Sequence, residues 1–147
     1  MLVSNARAQG LPSAVDLRAA YCIPILQESL SEALSLKRNA ETYALSGPQK
    51  EVVEKTLSET ATNLRRLQLY LLPRLSYLDP YGIEAAQQSG NEDYARHQEN
   101  AKACDTKCYN IVTNNPYEHF SCVLQCNSDS PLRARTSVCA DLSWLPF

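Results

Sequence analysis

The sequence predicts an all-α protein, an irregular bundle of about four helices that ends in a disulfide-stapled helical hairpin. Three observations carry that expectation. Apolar residues recur at steps of three and four over long stretches, the spacing that lays one helix face against a core. The chain holds only four glycines, at 10, 47, 82 and 90, and the last three fall between periodic segments. Residues 104–126 read CDTKCYNIVTNNPYEHFSCVLQC, two Cys-x-x-x-Cys pairs of helical spacing. No run of alternating β-branched and aromatic residues supports a strand.

The first helix is expected to start at Ser13. Ser13-Ala14-Val15-Asp16 fits a capping box, in which hydroxyl and carboxylate satisfy early amide donors. Apolar positions follow at 15, 19, 22, 26, 30, 33 and 40, up to Gly47. Pro24 falls inside this run, where it kinks a long helix or opens a new one; the kink is favoured. Pro48 opens the second helix, and Val53, Leu57, Leu64, Leu67, Leu71, Leu75 and Leu78 form its stripe. Pro73 does not shift the phase of that stripe, which predicts a kinked continuation to Leu78. Asp79-Pro80-Tyr81-Gly82 reads as a turn, followed by a short helical piece over 83–88 that stops at Ser89-Gly90. Asn91 then caps the third main helix, with Tyr94, His97, Ala101, Cys104, Cys108 and Ile111 on one face. Asn115, Pro116 and Glu118 restart a fourth helix carrying Cys122 and Cys126. The domain reading is a flexible N-terminus over 1–12 and one helical domain over 13–147, with an irregular, disulfide-tethered tail at 128–147.

Composition excludes several function classes. A net charge of -2 with scattered Lys and Arg gives no footprint for nucleic acid. The most apolar segment, 67–78, is broken by Gln68, Pro73, Arg74 and Ser76, so no membrane span is expected. Six cysteines, an even number, favour disulfides and an oxidising compartment. Ala6-Arg7-Ala8 before Gln9 has the small-x-small pattern found at signal-peptidase cuts, without the charged and apolar regions that precede one, so it is either a signal-peptide remnant or a chance match; with the cysteine count, a periplasmic or secreted protein is the expectation. No Asn-x-Ser/Thr sequon occurs, which weighs against a glycosylated secreted protein.

Cysteines four apart on a helix share a face, about one turn apart. Two such helices packed antiparallel set Cys104 opposite Cys126 and Cys108 opposite Cys122, the nested one of three possible connectivities. Cys22 and Cys139 remain, and they either pair, tying the tail to the first helix, or stay buried as free thiols. The competing reading is a thiol-based zinc or copper site on Cys104, Cys108, Cys122 and Cys126, with His97 and His119 close in sequence. It is disfavoured because both pairs lie mid-helix, without the short knuckles typical of structural zinc.

The pairs Cys104-Asp105-Thr106-Lys107-Cys108 and Cys122-Val123-Leu124-Gln125-Cys126 resemble the twin-CX3C hairpin of the small Tim chaperones and related CHCH-type proteins. That resemblance covers residues 104–126 and implies a structural hairpin oxidised in a thiol-oxidising compartment, binding instead of catalysis, and the mitochondrial intermembrane space as the alternative location.

Catalytic signatures are missing. No phosphate-cradling glycine loop, Cys-x-x-Cys redox pair or strained serine elbow occurs, and no cofactor is expected. Glu92-Asp93 reads as compensation of a helix N-terminal dipole. A small hydrolase without a recognisable motif ranks third. Trp144 and Phe147 in the tail either cover the core or contact a partner. The sequence therefore points to a non-catalytic, disulfide-stabilised helical protein for binding or assembly, with an unidentified protein partner.

Overall fold

The computed structural model describes residues 10–38, 47–111, 122–123, 125–127 and 136–146. Three long helices carry the all-α fold: α1 (Ala14–Arg38), α2 (Gly47–Leu71) and α3 (Pro80–Ile111). Short 3-10 turns follow at Leu72–Arg74 and Ser137–Cys139. Helix α1 is the common partner: α2 and α3 pack on it instead of on each other. The tail turn at 137–139 also lies against α1.

Helix α1 begins as its sequence dictates. The Ser13 amide donates to Asp16 Oδ2 at 2.9 Å and the Asp16 amide donates to Ser13 Oγ at 3.1 Å. Each side chain thus satisfies a donor that the first turn leaves open. The helix runs unbroken through Pro24, which is buried. It buries Ala19, Cys22, Ile23, Leu26 and Ala33.

Helix α2 buries Leu64, Leu67 and Leu71 and then stops, so the continuation expected to Leu78 does not form. Pro73 has no amide to donate back along the helix, and the chain tightens into a 3-10 turn. Leu75 consequently faces solvent at 38 % exposure. Leu78 is buried by a different route, through an isolated parallel bridge to Gly10. The Gly10 amide donates to the Tyr77 carbonyl at 2.6 Å and the Asp79 amide donates to the Gly10 carbonyl at 2.8 Å. These two bonds hold Gly10, within the terminus that the sequence reading assigned as flexible; residues 1–9, with the Ala6-Arg7-Ala8 pattern, lie outside the described residues.

The largest departure is α3. The expected turn at 79–82, the separate helix over 83–88 and the cap at Asn91 are replaced by one helix from Pro80 to Ile111. Pro80 occupies its first position, and Asp79 Oδ1 accepts the Tyr81 amide at 3.2 Å. Gly90 does not terminate it. A Cβ there would overlap the Tyr21 carbonyl and approach Pro24 Cγ at 2.9 Å. Glycine is required because the α1 backbone at Tyr21 runs directly against the α3 backbone at this point. The Asn115-Pro116-Glu118 restart lies outside the described residues, while 122–123 and 125–127 are helical.

Candidate functional site

Cys104 and Cys108 lie one turn apart on the buried face of α3 and bridge to Cys126 and Cys122, with Cα–Cα distances of 5.7 and 5.8 Å. Asn100, one turn before Cys104, donates to Asn127 Oδ1 at 3.4 Å and joins the two arms a third time. Cys22 on α1 bridges to Cys139 across a sequence separation of 117. All six sulfurs are therefore bonded in three pairs, and Cys104, Cys108, Cys122 and Cys126 hold no thiolate for a zinc or copper ion. Among the described residues, no three His, Cys, Asp or Glu side chains converge as a metal cluster.

Two buried carboxylates lie between the helices. Asp16 has no exposed surface, and its oxygens accept from Arg74 Nε at 2.6 Å, Arg74 Nη2 at 3.1 Å and the Tyr70 hydroxyl at 2.8 Å. Burial by itself would raise its pKa, but the Arg74 guanidinium and the Ser13 and Tyr70 donors outweigh it and hold the carboxyl well below the usual range. Asp93 is 1 % exposed and accepts from the Tyr21 hydroxyl at 2.6 Å, so α1 and α3 share this bond. The helix-terminal role expected for Glu92-Asp93 fails because α3 starts at Pro80, which leaves Asp93 mid-helix as an interhelix acceptor.

With α2 and α3 each packed on α1, a cleft is framed by the three helices and the tail turn. This cleft, about 620 Å³ and half open to solvent, is lined by residues of all three helices and of 136–140. Ile25 and Leu26 supply an apolar wall, Ser29, Thr60 and Asn63 supply polar groups, and Glu32 sits at the edge. Tyr94 and His97 also line it, with ring centroids 6.3 Å apart. The Tyr94 hydroxyl and His97 Nδ1 are buried without a hydrogen-bond partner. An unsatisfied buried group costs about 1–3 kcal/mol, so two neighbouring ones at one cavity are a feature to explain. Burial first, and the neighbouring Glu32 carboxylate second, push the Tyr94 phenol well above its ordinary pKa. Glu32 also accepts from Gln98 Nε2 at 2.6 Å.

Sequence reasoning placed Tyr94 and His97 on one helical face but gave the cavity no signal, since its walls come from segments as far apart as Ile25 and Ala140. His119 and Phe147 lie outside the described residues. Trp144 is half-buried against the core: its Nε1 donates to the Val138 carbonyl at 2.7 Å and Arg18 stacks 5.3 Å from its ring. Its indole thus helps to close the tail onto α1. No described helix is long and apolar enough to cross a membrane. Compared with protein families, with curated proteins and with solved structures, the chain matches none.

Proposed function

We propose that this chain is a non-catalytic, disulfide-stabilised helical binding protein of an oxidising compartment, periplasmic or secreted. The observation that carries the reading is the use of every cysteine in a bridge, two across the C-terminal hairpin and one from α1 to the tail. Such a set is maintained where thiols are oxidised and is rare in a reducing cytosol. The twin-CX3C resemblance points the same way, with the mitochondrial intermembrane space as the second candidate compartment. The bridges also support binding: they hold a preformed cleft whose wall includes Cys139. A preorganised site loses less free energy to ordering when a ligand arrives. The cavity's histidine, His97, presents an Nδ1 with neither carboxylate nor nucleophile on it, unlike a base in a catalytic pair.

Intact mass measured on protein purified with thiols blocked tests the disulfide basis of the reading. Reduction should add six hydrogens, one for each cysteine. A mass that reduction leaves unchanged, or six blocked thiols before reduction, would overturn it. Fractionation of the natural host tests the compartment, and recovery in the cytosol would refute that half.

A further inference from the structure

The end of the molecule around the Gly10–Leu78 bridge is apolar and exposed. Leu11 is 87 % exposed and Tyr81 79 %, and Leu17, Leu72, Leu75 and Tyr77 are exposed as well. The fold gathers these side chains. Gly10 is bonded to Tyr77 and Asp79, which holds Leu11 next to that segment. A Cβ on Gly82, the neighbour of Tyr81, would meet Pro12 Cγ at 3.4 Å and Leu17 Cδ2 at 3.5 Å. Leu72 opens the 3-10 turn and Leu75 caps it, and Arg74 between them donates to the Tyr77 hydroxyl. The six side chains expose roughly 700 Å², more than a monomer ordinarily leaves in one apolar patch. The two charged residues of 72–82 are both engaged: Arg74 is bound to Asp16, and Asp79 Oδ1 accepts the Tyr81 amide.

An unpaired backbone edge runs through the same patch. Gly10 turns both its N–H and its C=O to the 77–79 segment. The residue before a proline is held extended, so Leu11 turns its own N–H and C=O the opposite way. Among the described residues nothing bonds either group. Ser13, the next residue facing that way, is already committed: its N–H donates to Asp16 and its C=O accepts from Leu17. Toward the helix the edge is thus one residue long, with one donor and one acceptor. We propose that a second copy of this chain covers the patch, about a two-fold axis through the Leu11 backbone. Leu11 of each copy donates its N–H to the Leu11 carbonyl of the other, the mutual pair of an antiparallel ladder. A two-fold axis satisfies both groups of a single-residue edge at once, whereas a longer added strand gains no bond past Leu11. Leu17, Tyr77 and Tyr81 then pack beside the axis. The patch of roughly 700 Å² approaches the ~800 Å² that each partner buries in a standard interface. Its lack of unengaged charge suits a homodimer, whose interfaces are the more apolar kind.

Sedimentation of the oxidised full chain over a range of protein concentrations tests the proposal. The mass should pass from one chain to two as concentration rises. Leu11→Asp and Tyr81→Asp should each weaken the dimer at least about tenfold. The melting midpoint of the dilute monomer should not change in either variant, because both side chains are exposed. Val52→Asp alters an exposed apolar residue near the opposite end of α2 and should leave the dimer intact. In amide exchange followed by NMR, Leu11 should be unprotected in the dilute monomer and protected in the dimer. A single-chain mass at every concentration overturns the proposal and leaves the patch to a different protein or to residues 1–9. A dimer that neither Leu11→Asp nor Tyr81→Asp weakens, or one whose Leu11 amide exchanges freely, overturns it equally.

Discussion

Asp16 serves as N3 of a capping box, as counter-ion to Arg74 and as acceptor for Tyr70, joining α1 to the end of α2. The pair is asymmetric, with the carboxylate fully buried and the Arg74 side chain 33 % exposed. Asp16→Asn keeps the shape but leaves the guanidinium without its charge partner. It should lower the unfolding free energy by about 2–4 kcal/mol, somewhat below a wholly buried pair because Arg74 can reach water. Chemical denaturation at neutral pH checks this value. The pH dependence has a definite sign. The folded carboxyl titrates below its unfolded value of about 3.9, so its stabilisation is complete above that value and lost as pH falls beneath it. Between about pH 5 and 2 the wild type should therefore lose stability more steeply than Asp16→Asn, and equal slopes would contradict the assignment.

At the scale of elements, α3 departs most from what its sequence suggests. Gly90 has the local signature of a helix stop, yet it sits inside α3 because Tyr21 and Pro24 of α1 occupy the space of its absent side chain. Helix propensity alone would make Gly90→Ala stabilising by up to about 1 kcal/mol. Overlap with the α1 backbone reverses that sign, and the substitution should cost about 1–3 kcal/mol in thermal or urea unfolding. Gly47→Ala is the matched control: nothing lies within 4 Å of its added methyl, so it should leave stability equal or slightly raised. At Pro73 the local rule held where the stripe misled. The proline ended α2, and the turn that followed brought Arg74 beside Asp16.

For the whole molecule, the Cys22–Cys139 bridge is the long-range tether. It closes a loop of 117 residues, for which chain entropy gives about 4–5 kcal/mol. The hairpin bridges span 22 and 14 residues, about 3 kcal/mol each on the same model, and less together because one loop nests in the other. Cys22→Ala with Cys139→Ala should lower stability by several kcal/mol by loop entropy. The lone tryptophan, Trp144, lies just beyond Cys139 and leans on Arg18, so its emission should shift to the red as the tail loosens. Far-UV dichroism should change little, since the three long helices do not depend on the tail for their hydrogen bonds. An unshifted emission spectrum would show that the 136–146 segment holds to α1 without its bridge.

The sequence by itself determined the helical class, the capping box at Ser13 and the helical register of the cysteines. Each of these is local: a cap spans three residues, a helical stripe repeats every turn, and CX3C puts two sulfurs on one face whatever lies elsewhere. Tertiary structure decided the rest. Gly90 sits inside a helix with the α1 backbone against it, Asp93 accepts across helices from Tyr21, and Leu78 is buried beside its bridge to Gly10. The cleft follows the same rule, since Glu32, Glu59 and Tyr94 lie on three helices and meet at one cavity only when α2 and α3 pack separately on α1. Neighbour-to-neighbour periodicity encodes which face a side chain takes, whereas what faces it depends on how distant segments pack.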